Sequence, residues 1–275
     1  MKHLVAALLS VSLLAACATN PVTGRKQFII VPESQAIAAS QEAYVAMLQP
    51  LKQENKLNND PQLVQRVNAI SGKLVAQAIK FRPDTKDWQW TVNIIDDPKT
   101  VNAFCMAGGR IAVYTGLIQQ VKPSDAELAE VLGHEIAHAL SNHTAEQMSI
   151  AMASDVAVQA VGATQNNSRL ALSGAGLAAS LAVKLPMSRK AETEADRIGI
   201  ELASRAGYDP NAAIALWQKM EKAAGNGPVE FLSTHPSPEH RIENLKALVP
   251  QMMKYYRQPG ERPVFPVKEG ISSGS

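Results

Sequence analysis

Apolar residues recur every three or four positions along much of the chain, which is the period of an amphipathic helix. The predicted helices cover residues 34–53, residues 188–206 and two segments that begin at Asp60-Pro61 and Asp209-Pro210. Residues 88–96 alternate and are rich in β-formers, and residues 108–118 predict a second strand entered through a glycine turn. The pattern therefore predicts an α+β fold that is mainly helical.

The N-terminal residues form a separate segment. Lys2 precedes an apolar run, Leu4 to Ala16, that is too short to span a bilayer but fits the core of a secretory signal. The ending Leu14-Ala15-Ala16-Cys17 resembles a bacterial lipobox, which implies that Cys17 is lipidated and becomes the mature N-terminus. The following Ala18 and Thr19, in place of an aspartate, imply an outer-membrane anchor facing the periplasm. The alternative is a plain signal peptide with an incidental cysteine.

Composition sets the expected boundaries of the folded part. Residues 18–33 carry Pro, Gly and polar residues, as a tether would, and the chain becomes rich in Pro, Gly and Ser after Pro250. We therefore expect a signal peptide over 1–16, the lipidated cysteine and a tether over 17–33, one folded domain over 34–249 and a disordered tail over 250–275.

The overall composition argues against a nucleic-acid-binding protein and against a fold held by disulfides. With 46% apolar and 19% charged residues, the 275-residue chain can bury a substantial core. Its 27 basic and 25 acidic residues nearly balance and aromatic residues make up only 5%, so nothing favours a nucleic-acid partner. Cys105 is the only cysteine besides Cys17, which argues against a disulfide framework.

The candidate chemistry lies in "HEIAH", on a predicted helix that a Ser124–Glu127 capping box opens. On a helix, His134 and His138 lie one turn apart on the same face, so both imidazoles can bind one zinc ion. Glu135 lies one step round the helix and is placed to accept a proton from water that the metal activates. The motif predicts a zinc-dependent hydrolase with Glu135 as the general base.

Zinc in such a site needs a third protein ligand, and the sequence offers competing candidates. Cys105 would give a deformylase-like set, although its neighbours do not resemble the deformylase pattern. A third histidine at the metzincin spacing is excluded, because Thr144 stands there. The favoured candidate is Glu192 in "ETEAD", with Asp196 one turn later to receive the outward N–H of a ligand histidine. Glu194 is expected on a different face of that helix.

Together these motifs resemble those of the gluzincin zinc metalloproteases related to HtpX and the CAAX prenyl protease, in particular the periplasmic lipoprotein branch of BepA and LoiP. Besides "HEIAH" and "ETEAD", the resemblance rests on "NPVTGRKQ", "NAFCMAGGRIAVYTGLI" and "STHPSPEHRIENL", and it covers most of residues 17–245. It implies a zincin-like domain with a small antiparallel sheet beside the HExxH helix. It also implies one Zn²⁺ per chain, bound by His134, His138 and Glu192, with Glu135 as the catalytic base.

The resemblance also assigns residues around the metal. His235 and Arg241 fall where relatives carry a histidine and an arginine near the zinc. His235 would stabilise the tetrahedral oxyanion or, in a resting form, occupy the open zinc position. Arg241 would hold that loop or an anionic transition state. His143 and His240 are expected at the surface or behind the ligands.

The resemblance further implies a substrate-binding edge strand beside the cleft. This edge is expected at Asn102, Ala103, Gly108 and Gly109, where an extended peptide could add by backbone pairing. In that arrangement Cys105 is a small core residue rather than a reactive thiol.

Two functions from different classes follow from the resemblance. The first is a lipid-anchored zinc endopeptidase on the periplasmic side of the outer membrane that degrades misfolded or misassembled envelope proteins. The alternative is a chaperone-like assembly factor for outer-membrane proteins, which works with the outer-membrane assembly machinery and in which proteolysis is minor or gated. The effect of Glu135→Gln on the cellular phenotype would separate the two.

Overall fold

The computed structural model describes residues 17–160, 174–225, 229–236 and 240–271, so the predicted signal peptide lies outside the described residues. The helices are α1 (Glu33–Gln53), α2 (Pro61–Phe81), α3 (Asp125–Leu140), α4 (His143–Ala160), α5 (Gly174–Val183), α6 (Arg189–Arg205), α7 (Asn211–Ala224), α8 (Glu230–Thr234) and α9 (Arg241–Tyr256). The strands are β1 (Cys17–Thr19), β2 (Lys26–Phe28), β3 (Thr91–Ile95), β4 (Ala103–Met106), β5 (Arg110–Tyr114) and β6 (Lys268–Glu269). Within these ranges no helix has the length and apolar character needed to cross a membrane.

Four strands form one mixed sheet in the order β4-β5-β3-β6. β4 and β5 are antiparallel, with Ala103 opposite Val113, whereas β3 runs parallel to both β5 and β6. Gly108 and Gly109 make the turn between β4 and β5 with φ of 84° and 83°, so they are not part of the expected substrate edge. The predicted α+β class is confirmed, and the sheet beside the HExxH helix is antiparallel only between β4 and β5.

The sheet lies between two layers of helices, because its central strands are buried on both faces. Ile111 and Val113 of β5 pack into one apolar core with residues of α2 and α3. Ala112 and Tyr114, which alternate with them, pack into a second core with residues of α1 and α5. The HExxH helix α3 is buried from Glu127 to its end, so the sheet and its neighbours hold it on all sides.

The HExxH helix α3 and the acidic helix α6 approach each other at two glycines. A Cβ atom added to Gly133 would lie 2.9 Å from the Gly199 carbonyl oxygen, and one added to Gly199 would lie 2.8 Å from the His134 backbone nitrogen. Only glycine permits this approach, since backbone atoms cannot move aside as side chains do.

The predicted capping box is confirmed: the Ser124 hydroxyl accepts the Glu127 N–H, and the Glu127 carboxylate accepts the Ser124 N–H. The capping box therefore fixes where α3 starts, and the two glycines fix how closely α3 lies to α6.

The structure corrects the predicted loose tether over residues 17–33. β1 and β2 pair as an antiparallel hairpin, and the Asn20 carboxamide oxygen closes its turn by accepting the N–H groups of Val22 and Thr23. The Asn20 and Gln27 amides donate to the carbonyl oxygen of Ser141, the C-cap of α3, more than a hundred residues away in sequence. The composition, which predicted a tether, carried no sign of these distant partners.

The predicted disordered tail is wrong for the residues up to Ile271. α9 continues through Pro250 to Tyr256, and β6 pairs with the start of β3. Proline removes one backbone donor from a helix, but here the apolar residues Leu245 and Met252 on either side remain buried. Their packing outweighs the local cost of the proline.

Candidate metal centre

The residues predicted for the chemistry converge from three parts of the chain. α3 carries His134, Glu135 and His138, α6 carries Glu192, and His235 follows α8. All five side chains are buried. Ionisable groups are buried together only when they pair or coordinate a metal. The cluster is therefore a candidate metal centre.

Four of these residues, His134, His138, Glu192 and His235, direct nitrogen or oxygen atoms to one point, and these atoms lie within 4.8 Å of one another. Nε2 of His134 lies 3.1 Å from Nε2 of His138 and 3.4 Å from Oε2 of Glu192. Nδ1 of His235 lies 3.3 Å from Nε2 of His134 and 3.0 Å from Oε1 of Glu192. Tetrahedral ligands at zinc–nitrogen distances of about 2.0–2.1 Å are about 3.3 Å apart, so this donor set fits zinc.

Asp196 and Arg241 contact the donor residues on the side that faces away from the cluster. Nδ1 of His134 lies 3.0 Å from Oδ1 of Asp196, which leaves Nε2 directed to the cluster. The buried Arg241 guanidinium donates to Glu192 and Asp196 over 2.6 and 2.7 Å and lies over the Trp217 ring at 3.9 Å. Arg241 thus ties a candidate ligand carboxylate to the residue that orients a candidate ligand histidine.

Burial and mutual contacts shift the protonation of these groups. Burial opposes the charged form of His134, but contacts with Asp196 and Glu192 outweigh it and raise its pKa to about 10. Burial lowers the pKa of His138 well below its ordinary value. Burial likewise disfavours the charge on Glu192, yet the surrounding histidines hold its pKa below the ordinary range. A proton on His134 therefore competes with a metal ion for the site.

Glu135 and His235 face each other next to the donor set. Nε2 of His235 lies 3.4 Å from Oε1 of Glu135, and its ring stacks on Phe231 with centroids 4.6 Å apart. Burial raises the pKa of Glu135, so its carboxylate is a stronger base than an exposed one. In this conformation His235 takes the fourth donor position, which a hydrolytic zinc site leaves open for water.

The end of the sheet lies beside the base. Ala103 is the first residue of β4, and the preceding Asn102 accepts a ladder hydrogen bond from β5. Because hydrogen bonding alternates along an antiparallel pair, Ala103 and Cys105 direct their backbone groups away from β5. The Cys105 backbone N–H faces the Glu135 carboxylate, and burial raises the pKa of the Cys105 thiol. Cys105 is therefore a core residue and not one of the clustered donors.

Three residues outside the predicted site support it. Nδ1 of His138 lies 2.8 Å from Nδ1 of the fully buried His143, whose Nε2 lies 3.1 Å from Glu194. Arg25 of the N-terminal hairpin donates to Glu194. The sequence signal for His143 was its place in the histidine cluster, but no pattern pointed to Arg25. His240, by contrast, is exposed.

Comparison with known proteins identifies the family. Residues 57–249 match Peptidase family M48. The chain belongs to this family. M48 peptidases use zinc, in agreement with the donor set, and the assignment confirms the gluzincin resemblance.

Relatives of this M48 chain include both mitochondrial and bacterial proteins. The "Metalloendopeptidase OMA1, mitochondrial" of Bos taurus is 34% identical over 246 residues, which make up 86% of this chain and 46% of the relative. The "Mitochondrial metalloendopeptidase OMA1" of Saccharomyces cerevisiae is 32% identical over 253 residues, 86% of this chain and 70% of the relative. The "Beta-barrel assembly-enhancing protease" of Escherichia coli strain K12 is 30% identical over 215 residues, 74% of this chain and 42% of the relative. The chain thus spans about half the length of the bovine relative that it matches.

Proposed function

We propose that this M48 chain is a zinc endopeptidase that degrades misfolded or misassembled proteins of a bacterial envelope. The observation that carries the proposal is the buried, tetrahedrally spaced set of donor atoms next to Glu135. When bound, zinc supplies Lewis-acid activation of water and of the peptide carbonyl.

The residues of the chain supply the remaining chemistry. Glu135 accepts the proton of the attacking water and passes it to the nitrogen of the leaving peptide, a transfer that its raised pKa assists. His235, once withdrawn from the donor set, donates from Nε2 to the developing oxyanion. The outward backbone groups of Ala103 and the carbonyl group of Cys105 pair with an extended substrate and hold its scissile bond near Glu135.

A second candidate is an outer-membrane assembly factor in which proteolysis is minor or gated. The observation that favours it is the position of His235, because its Nδ1 lies in the fourth donor position, which a hydrolytic zinc site leaves for water. The relative from Escherichia coli is named for enhancement of β-barrel assembly, which supports the same class of partner for this chain.

The proposal includes a lipid anchor on Cys17 and a place on the periplasmic side of the outer membrane. Its support is the apolar run before Cys17 and the lipobox resemblance of residues 14–17. Because β1 begins at Cys17, a lipid on this residue would be attached directly to the hairpin, without a spacer.

The test uses the full chain, purified in detergent, and its Glu135→Gln variant. We expect about one zinc per chain in both, with hydrolysis of unfolded casein reduced at least about 100-fold in the variant. Equal cleavage by both proteins would remove Glu135 from the mechanism, and a wild-type chain that binds no zinc would refute the proposed function. In cells, complete loss of the phenotype in Glu135→Gln supports the endopeptidase, whereas partial retention supports the assembly factor.

A further inference from the structure

The two histidines of "HEIAH" differ in what contacts the ring nitrogen that faces away from the cluster. His134 Nδ1 contacts a carboxylate, Asp196, on the facing helix α6. His138 Nδ1 instead contacts the imidazole of His143, with 2.8 Å between the two Nδ1 atoms. Because His143 Nε2 lies 3.1 Å from Glu194, the support of His138 extends through a second histidine to a carboxylate.

This order of groups fixes the tautomers of both imidazoles. An ionised carboxylate can only accept hydrogen bonds, so His143 donates from Nε2 to Glu194. A neutral imidazole that donates from one nitrogen accepts at the other, so His143 accepts at Nδ1. His138 must then donate from Nδ1, which leaves the lone pair of its Nε2 for a metal ion. Glu194 therefore sets the direction of the whole relay.

Glu194 is itself held by the N-terminal hairpin. The Thr23 hydroxyl and Nε of Arg25 each donate to its carboxylate over 2.8 Å. The two terminal nitrogens of Arg25 bind Glu146 as a bidentate pair, over 2.8 and 2.7 Å. The three charged side chains are only 13–15% exposed, so solvent screens their contacts little. Glu146 thus anchors the guanidinium that orients Glu194.

We propose that Arg25 and Glu194 are positioning residues of the metal site, which act on His138 through His143. The hairpin is then part of the framework of the site and not only the point where the chain is attached. The inference rests on the proposed zinc function, because it concerns a ligand of that metal. Loss of the Glu194 charge would let His143 reverse its tautomer and leave the Nε2 of His138 protonated for part of the time.

The test compares Glu194→Gln with Glu146→Gln in the full chain. Both changes replace a carboxylate that binds Arg25 with an amide of the same shape, but only Glu194 contacts His143. We expect Glu194→Gln to weaken zinc binding by about 10- to 100-fold, as loss of an outer partner of a metal ligand typically does. Glu146→Gln should lower zinc affinity much less, because Glu146 acts on Glu194 only through Arg25. Competition with a chromogenic chelator measures the affinity, and the visible spectrum of the cobalt(II) form should change more in Glu194→Gln than in Glu146→Gln.

A purely structural role for the hairpin makes a different prediction. If the hairpin only stabilises the fold, both metal-free variants melt at lower temperatures and their zinc affinities change equally. That result would overturn the proposal. If Glu194→Gln does not fold, Thr23→Val replaces it, because this change removes a hydrogen bond to Glu194 and none to Glu146. Weaker zinc binding by Thr23→Val supports the proposal and unchanged binding overturns it. If the wild-type chain binds no zinc, the proposed function itself is refuted. If the wild-type chain binds zinc and is active, but Glu194→Gln and Glu146→Gln have equal zinc affinities, only this inference is refuted.

Discussion

Replacing Gly199 with alanine tests how the metal site is assembled from two helices. The added Cβ would lie 2.8 Å from the backbone nitrogen and 2.9 Å from the Cα of His134, where ordinary contact begins at 3.4 Å. Neither atom belongs to a flexible side chain, so α3 and α6 must separate by about 0.6 Å in this close-packed interior. The change therefore acts on the helix pair without touching a candidate ligand chemically.

The separation moves the candidate ligands apart, because His134 and His138 lie on α3 and Glu192 lies on α6. A distance of 3.4 Å between His134 Nε2 and Glu192 Oε2 would grow to about 4.0 Å, beyond the tolerance of about 0.2 Å for metal–ligand bonds. We expect zinc affinity to fall by about 10- to 100-fold. Overpacking should lower the unfolding free energy of the metal-free protein by about 1–3 kcal/mol, and the higher helix propensity of alanine should raise it by about 1 kcal/mol. The net destabilisation is then about 0–2 kcal/mol.

Chelator competition measures the zinc affinity, and thermal unfolding of the metal-free protein measures the packing cost. At about 2–4 °C per kcal/mol for a domain of this size, the melting temperature should fall by about 8 °C at most. Gly174→Ala is the matched control, since the one described atom within 4 Å of its Cβ would be the Ala39 Cβ at 3.5 Å. Wild-type zinc affinity in Gly199→Ala would refute the reasoning that this close approach sets the ligand geometry.

Further predictions concern the groups around the donor set. Arg241→Met leaves the buried Glu192 carboxylate and the largely buried Asp196 carboxylate without their cation and should cost about 3–5 kcal/mol of unfolding free energy, with only partial recovery in Arg241→Lys. Thermal unfolding measures this, and a shift below about 2 °C would contradict it. His235→Ala removes the Nε2 donor that the mechanism assigns to the oxyanion and should lower the rate of casein hydrolysis by about 100-fold, whereas a higher rate would show that gating by His235 outweighs oxyanion binding. Because the His134 pKa is raised to about 10, zinc must displace a proton at neutral pH, so zinc affinity should rise about tenfold per pH unit below that value. Calorimetry in buffers of different ionisation enthalpy that detects no proton release at pH of about 7 would exclude this competition.

The sequence predicted those parts of the site that depend on local spacing. The capping box at Ser124 fixes the start of α3, and the interval from His134 to His138 fixes a shared face whatever the rest of the chain does. Glu192 could be proposed as a partner because its own helix carries a recognisable motif. In each case a pattern within one helix contains the whole signal.

The contacts that the sequence did not predict join distant segments through single side chains. Arg25 reaches Glu146 and Glu194 over separations of 121 and 169 residues, and no periodicity records such a pair. Residues 17–33 were predicted as a tether for this reason. At Pro250 the sequence predicted the end of the folded domain, because proline usually ends a helix. Tertiary packing outweighs this local preference, and the helix continues to Tyr256.

The central claim is that one zinc ion lies among His134, His138 and Glu192, with Glu135 beside it. Anomalous diffraction at the zinc edge, from crystals of the zinc-loaded chain, locates the metal directly. We predict one peak bonded to Nε2 of both histidines and to a Glu192 oxygen, with Nδ1 of His235 as the fourth ligand in the substrate-free protein. A zinc peak elsewhere, or none among these residues, would contradict the account.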